Sequence, residues 1–366
     1  MTRPRVGIVG AGQLGRMLAL AGYPLGIECT LLDTSPDAPG AQVAKSIVGG
    51  LDDARALAAL AGKSDVVTLE IENVAVAALE ALAGRVAVFP PPAAVAAAQD
   101  RLAEKTLFRS LGIATAEFVT IDKATDAASA AGLGWPVILK TRRLGYDGRG
   151  QRVVDSKAAL AAAWRELGQV PSIAEAFVEF EREVSLIGVR GARGEQAFYP
   201  LAENVHRNGI LASTIAPYED SALQREAERC LAALMEKLDY RGVLTVEFFH
   251  TKNGLVANEM APRVHNSGHW TIEGAETSQF ENHLRAVLGW RLGDARARGH
   301  SAMLNLIGRL PPRDAVLAVP GAHLHDYGKS PRPARKVGHC TLVDSERARL
   351  LERLEPLRVV VAQSNQ

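Results

Sequence analysis

At 366 residues, 47% hydrophobic and 23% charged, the chain has the length for two to three domains and the composition of an α/β protein with a sizeable core. A formal net charge of +1 excludes a global field for nucleic acid or anionic lipid, so neither a nucleic-acid nor a membrane partner is expected. Cys29, Cys230 and Cys340 are far apart and form no CxxC pair, which argues against a disulfide framework and a cysteine zinc site and fits a cytoplasmic setting. Neither a signal-peptide pattern nor an apolar run of bilayer length is read in the sequence.

In chain order, Val6 to Val9 reads as a buried strand running into Gly10, Gly12 and Gly15, spaced G-x-G-x-x-G, and then into a helix. A second strand over 28–33 ends in Asp33, completing the dinucleotide fingerprint. Its physical content is narrower: a tight turn and a helix N-terminus whose N–H groups face an anion, whether a pyrophosphate or a single phosphate. Strand-like runs at 45–49, 65–70 and 86–90 alternate with Ala/Leu-rich helical stretches, predicting a small doubly wound unit that Pro90-Pro91-Pro92 closes. Asp100 to Gly112 reads as a helix with apolar positions Leu102, Leu107 and Leu111. Strand signals return at 116–121, 136–140 and 151–155. A β-rich region over 172–260 follows, then a helix near 274–289 and a tail of strand and loop from about 301.

Four stretches carry chemistry. At 135–154 a strand delivers Lys140, after which Gly145, Gly148 and Gly150 alternate with Tyr146, Asp147 and Arg149. Such a loop can wrap phosphates with backbone N–H groups while Lys140 supplies a point charge; a glycine-rich hairpin with solvated arginines explains it equally well. Over 172–189, an exposed edge accounts for Glu179 and Glu181 but less well for Glu175, set between apolar neighbours. Asn253-Gly254 marks a hairpin. A three-residue loop there places Glu247 opposite Glu259 on one face, whereas a two-residue loop places them on opposite faces. Facing carboxylates repel unless a cation lies between them, and hard oxygen ligands point to Mg²⁺ shared with substrate phosphates; two solvated glutamates are the alternative. Arg263, His265 and Asn266 follow as residues suited to an oxyanion. His265 and His269 lack a third zinc ligand and straddle Gly268. The basic stretch 325–339, with Lys329, Arg332, Arg335 and Lys336, reads on its own as a solvated loop.

Taken together, GAGQLGRML (10–18), EIENV (70–74), QDRLAEK (99–105), GYDGRGQ (145–151), NEMAPRVHNSGHW (258–270) and YGKSPRPARKVGH (327–339) resemble the ATP-grasp superfamily. Within it, the sequence is most similar to the N5-carboxyaminoimidazole ribonucleotide synthetases, over essentially the whole chain. The resemblance implies a Rossmann-like pre-ATP-grasp domain over 1–97, an ATP-grasp domain over 98–300 with a lid subdomain at about 110–172, and a small β-rich domain over 301–366. It implies ATP-dependent carboxylation of 5-aminoimidazole ribonucleotide by bicarbonate through carboxyphosphate, a homodimer, and transfer of the product to a mutase.

Residue by residue, the resemblance puts Arg101 and Lys140 on the ATP phosphates and makes Gly145, Tyr146, Asp147, Gly148, Arg149, Gly150 and Gln151 the lid. Glu175, Ala176, Phe177 and Val178 form the strand reading adenine, Glu183 meets the ribose, and His206 lies beside the nucleotide. Glu247 and Glu259 ligate Mg²⁺, with Asn258 adjacent. The glycine loop, with Gln13 and Leu14, serves the ribonucleotide 5′-phosphate, as do Lys329 and Arg335. Glu72, Tyr146, Asp147 and Arg149 face the aminoimidazole. Arg263, His265 and Asn266 bind bicarbonate and carboxyphosphate, and Asp147 handles the substrate amine. Two positions depart from the pattern: Ala261 stands where many ATP-grasp enzymes have Asn, and Asn73 where relatives commonly have His. The alternatives are a formate-dependent glycinamide ribonucleotide transformylase, a biotin carboxylase, a non-catalytic nucleotide sensor and an NAD-dependent dehydrogenase. Lys140, Glu247 and Glu259 together oppose the sensor, and the dehydrogenase lacks a persuasive hydride-handling His or Tyr.

Overall fold

The structure, a computed structural model, describes residues 3–145, 148 and 150–364. Tyr146, Asp147 and Arg149 lie outside the described residues.

Apolar runs form a parallel sheet of β1 (Arg5–Val9), β2 (Glu28–Asp33), β3 (Lys45–Val48), β4 (Val66–Leu69) and β5 (Ala87–Val88). Strands β1, β2 and β4 are buried on both faces, and the edge strands β3 and β5 are partly exposed. Val6, Ile8, Val9, Leu31 and Leu32 are fully buried there. The strand order is β3-β2-β1-β4-β5, so it reverses between β1 and β4, and the crevice beyond their C-terminal ends is where such sheets place ligands. The glycine loop and Glu70 to Asn73 both leave the sheet at that point. Helix Gln13–Gly22 lies against the sheet through Leu14, Met17 and Leu18, an i, i+3, i+4 stripe.

A helix, Pro92–Gln99, starts on the last of the three prolines, where a missing N–H costs nothing. Asp100 then caps helix Arg101–Ser110, accepting from the Leu102 N–H at 3.0 Å. The expected stripe of Leu102, Leu107 and Leu111 is only partly buried. The buried face carries Glu104, Lys105 and Phe108 instead, because it turns toward the candidate site.

The next sheet is antiparallel: β6 (Phe118–Ile121), β7 (Val137–Thr141), β8 (Gln151–Val154) and β9 (Ser172–Ala176), in the order β6-β9-β7-β8. The third sheet is nine-stranded. It contains β10 (Arg182–Arg190), β11 (Gln196–Phe198), β12 (Ala202–Arg207), β13 (Ile210–Ala216), β14 (Gly242–Thr251), β15 (Gly254–Ala261), β16 (His300–Ile307), β17 (Ala322–Asp326) and β18 (Lys336–Asp344). Its order is β15-β14-β10-β12-β13-β16-β18-β17, with β11 paired to β10. Helix Ser221–Lys237 packs against it through Leu223, Ala227, Leu231 and Leu234.

The tail strands continue this sheet, Thr214 of β13 pairing with Met303 of β16. The tail also holds helix Arg347–Ser364, where the sequence reading expected only strand and loop. Pro356 inside it hides the helical signal, yet Leu350, Leu354, Leu357 and Val361 share one buried face. No helix among the described residues is long and apolar enough to cross a membrane.

Candidate active site

The hairpin joining β14 and β15 has a two-residue turn, Thr251 pairing with Gly254, and so corrects the three-residue loop that would have set Glu247 against Glu259. Strict alternation from that turn would separate the two carboxylates onto opposite faces. A β-bulge restores the pairing: Phe248 faces Ala257 while Glu247 faces Glu259, and Asn258 is the extra residue. Burial, then the Glu259 carboxylate, push the Glu247 acid up to about 7. Burial opposes ionisation of Glu259, but Arg101, whose Nη1 lies 3.0 Å from its Oε2, holds it below the usual carboxylate range. Two hard oxygen donors facing each other with unbalanced charge fit a divalent cation. Among the described residues no group of three or more His, Cys, Asp or Glu could hold a metal by itself, and Ala261 brings no donor, so such an ion would draw its remaining ligands from phosphates and water.

Behind this pair sits a buried charge cluster. Glu175, at 2% exposure on β9, accepts from Lys140 Nζ at 2.9 Å and faces Lys105 Nζ at 3.4 Å. An unpaired buried ammonium costs several kcal/mol; burial lowers the Lys105 pKa, and the Glu175 carboxylate shared by the two lysines opposes that fall. Burial would raise Glu175; the two lysines, Lys140 first, instead hold it at about 2. Lys140 Nζ also reaches Asn258 Oδ1 at 3.2 Å, so the bulged residue ties the lysine to the carboxylate pair. Sequence reasoning missed Lys105 and Glu104, whose Oε1 accepts from the Met260 N–H at 2.6 Å. Their signal was the charged i, i+3, i+4 set Arg101, Glu104 and Lys105 on one helix face.

A cavity of about 600 Å³ joins these groups to the crevice of the first sheet. Arg101, Lys140, Glu247, Asn258 and Glu259 line one end. Glu183 and His206 line a wall, bonded to each other at 2.8 Å; burial disfavours the charged imidazole, but Glu183 raises His206 above its usual pKa. Gly145, Gly148 and Gln151 also line the cavity, Gly148 lying against the Asn208–Gly209 turn that follows His206, where a Cβ would sit 3.0 Å from the Gly209 Cα. Gly150 does not line it; at φ +74° it turns the chain where a Cβ would meet Thr141 Oγ1 at 2.6 Å. Ala176, Phe177 and Val178 continue β9 outward and are not among the lining residues.

Gln13, Leu14 and Glu72 line the other end of the cavity, with Arg263, His265 and Asn266 between. Arg263 grips Glu72 in a two-pronged ion pair, Nη2 to Oε1 at 2.9 Å, linking two residues that the resemblance assigns to different ligands. Both side-chain polar atoms of Asn266 are buried without a protein partner, and the residue lines this cavity. Burial, then the Arg263 charge, hold His265 well below its usual pKa, and its Nε2 lies 3.4 Å from Glu247 Oε1.

The glycine loop narrows the expectation that its N–H groups receive a substrate phosphate to those of Gln13 and Leu14. The Gly12 and Gly15 N–H groups donate to the two oxygens of Glu70, at 2.8 and 2.9 Å, and the Ala11 N–H donates to Asp33 at 2.9 Å. The anion at this helix N-terminus is therefore the chain's own carboxylate. Gly12 is required for that approach, since a Cβ there would lie 2.7 Å from Glu70 Oε1. Nor is the basic stretch a free solvated loop: Lys329 Nζ bonds Gln13 Oε1, and the Gly328 carbonyl accepts from Gln42 at 3.2 Å. Arg335 bonds Ser330 Oγ at 3.0 Å. Lys329 and Arg335 line a second cavity of about 1200 Å³, which shares Gln13 and Lys336 with the first.

Sheets and cavity together define a class, an ATP-grasp ligase: residues 106–280 match the ATP-grasp domain model. Residues 3–99 match the ribonucleotide synthetase preATP-grasp domain, and residues 301–353 the phosphoribosylaminoimidazole carboxylase C-terminal domain. The chain is 48% identical to N5-carboxyaminoimidazole ribonucleotide synthase of Pseudomonas aeruginosa, covering 98% of this chain and 99% of that one. It superposes on N5-carboxyaminoimidazole ribonucleotide synthetase of Thermus thermophilus with TM-score 0.93 at 52% identity, over 97% and 98% of the two chains. The Aspergillus clavatus synthase in complex with ADP and 5-aminoimidazole ribonucleotide matches with TM-score 0.92 at 32% identity, over 99% of each chain. The chain belongs to the N5-carboxyaminoimidazole ribonucleotide synthase family.

Proposed function

We propose that the chain uses ATP and bicarbonate to carboxylate 5-aminoimidazole ribonucleotide, giving N5-carboxyaminoimidazole ribonucleotide, ADP and phosphate in de novo purine synthesis. The observation that carries this is a single cavity lined by Lys140 and the Glu247–Glu259 pair, with Glu175 and Lys105 buried behind Lys140. The Glu72–Arg263 pair lines it as well, as does Gln13, which bonds Lys329 of the adjoining cavity. Arg101 and Lys140 meet the ATP phosphates, and Glu175 holds Lys140 in place. Glu247 and Glu259 hold Mg²⁺, which when bound screens the phosphate charge. Glu183 and His206 flank the nucleotide ribose, and the strand through Ala176, Phe177 and Val178 presents backbone to adenine.

Bicarbonate attacks the γ-phosphorus, and Lys140 stabilises charge gathering on the transferred phosphoryl oxygens. Arg263, His265 and Asn266 retain the resulting carboxyphosphate, which decomposes to CO₂ in a closed site, the lid being, by the resemblance, the stretch 145–151. The ribonucleotide lies with its 5′-phosphate near Gln13, Leu14, Lys329 and Arg335 and its base against Glu72. By the resemblance, Tyr146, Asp147 and Arg149 complete the base site, and Asp147 takes the proton of the amine as it captures CO₂. The enzyme works in the cytoplasm as a homodimer and hands its product to a mutase. The test is ADP release and carboxylated product measured in parallel, with 5-aminoimidazole ribonucleotide and bicarbonate against glycinamide ribonucleotide and formate. Turnover only with the first pair is expected; turnover only with the second would overturn the reading.

A further inference from the structure

We propose that a buried relay of side chains, Thr214, Asn204, Ser185 and Ser267, fixes His265 as its Nε2–H tautomer and so makes it a hydrogen-bond donor toward the reacting oxyanion, not a base. The register sets up the relay: Thr214 of β13 lies directly opposite Asn204 of β12, and Ser185 of β10 directly opposite Glu247 of β14. Thr214 Oγ1 bonds Asn204 Oδ1 at 2.9 Å, and Asn204 Nδ2 bonds Ser185 Oγ at 2.9 Å. Ser185 Oγ bonds Ser267 Oγ at 2.8 Å, and Ser267 Oγ bonds His265 Nδ1 at 2.9 Å. All four relay residues are buried, none above 4% exposure, so bulk water does not reorient them.

Hydroxyls and amides can polarise such a chain in either direction, and one fixed donor decides. The backbone N–H of Ser267 points at His265 Nδ1 from 3.3 Å, and a backbone N–H can only donate. Nδ1 is therefore an acceptor and carries no proton. The Ser267 hydroxyl then donates to Nδ1 and accepts from Ser185, which accepts from the Asn204 amide, whose oxygen accepts from Thr214. The ring proton is left on Nε2, facing Glu247 Oε1 at 3.4 Å. The four residues do not touch the reacting atoms; they are positioning residues, and their part in turnover rests on the proposed function.

The test is a two-bond ¹H–¹⁵N correlation on histidine-labelled full-length protein without substrates, with His265→Gln to assign the signal. The expected spectrum has an unprotonated Nδ1 and a protonated Nε2 at His265; the reverse pattern would overturn the proposal whether or not the enzyme makes the proposed product. Asn204→Asp offers only acceptors, so it should reverse the relay and, through the shorter 2.9 Å hydroxyl contact outweighing the 3.3 Å Ser267 N–H, move the proton to Nδ1. It should lower kcat about 10- to 100-fold while KM for ATP changes little. Ser267→Ala cuts the relay and leaves only the 3.3 Å backbone N–H on Nδ1. A mixture of tautomers should then replace the single Nε2–H form, with a smaller loss of kcat; an unchanged single tautomer would overturn the relay's part in fixing it. A reversed tautomer with unchanged kcat would refute the relay's role in turnover. Should Asn204→Asp not fold, the wild-type spectrum and Ser267→Ala still decide the matter.

Discussion

Glu70 at the glycine loop and the Glu247–Glu259 pair on the large sheet are both buried acids at places where the sequence points to a charged ligand. They differ in their partners. Burial raises the Glu70 acid too, but both its oxygens accept backbone N–H bonds at a helix N-terminus that oppose the rise, so the Gly12 and Gly15 N–H groups are already taken. Glu247 and Glu259 face each other, and the Arg101 contact falls on Glu259 while burial and Glu259 push Glu247 upward. A fingerprint thus reports a backbone geometry, whereas an unbalanced charge reports a ligand.

The largest expected effect comes from removing one charge of the unbalanced pair. Glu247→Gln and Glu259→Gln should each lower ADP release by about 10³-fold with the fold intact, checked by steady-state kinetics over a Mg²⁺ series and by thermal melts. Near-normal turnover at limiting Mg²⁺ would remove the pair from the chemistry. Lys140→Met comes next: ADP and carboxylated product should fall together by about 10²-fold, because phosphoryl transfer precedes carboxylation.

Glu70→Gln tests the other side of the contrast. One amide oxygen cannot serve both the Gly12 and Gly15 N–H groups, so stability should drop by about 1–3 kcal/mol in denaturant melts while turnover stays within about tenfold. A loss matching Glu247→Gln would make the glycine loop part of the reacting site and erase the distinction. The smallest effect is a pH slope. Glu247 ionises near 4.5 when unfolded and at about 7 when folded, so between those values the folded chain holds the extra proton. Stability of the ligand-free protein should therefore fall as pH rises through that window, and Glu247→Gln should reduce the slope while leaving the part due to Glu104, which burial raises to about 8.

Local patterns were legible in the sequence. Alternating apolar runs located the parallel strands, Asp100 announced its helix, and residue order brought Lys140, Arg263, His265 and Asn266 to one cavity. What failed was whatever depends on a partner distant along the chain. Glu70 is 55 residues from the Gly15 N–H it occupies, and Lys105 is 70 positions from Glu175, so neither pairing has a local signature. The facing of Glu247 and Glu259 was reached through a loop of the wrong length; the bulge at Asn258 compensates, and no turn residue encodes it. The tail helix was obscured by Pro356, and the docking of Lys329 onto Gln13 by the 316 residues between them.

The contrast between a filled motif and an unbalanced one is tested most directly by calorimetric titration of the wild-type protein with NAD, NADP and ATP, the last with Mg²⁺. The account predicts a clear saturable signal for Mg²⁺ with ATP and flat traces for both dinucleotides, because Glu70 already occupies the Gly12 and Gly15 N–H groups a pyrophosphate would need. Tight, saturable binding of NAD or NADP would contradict it.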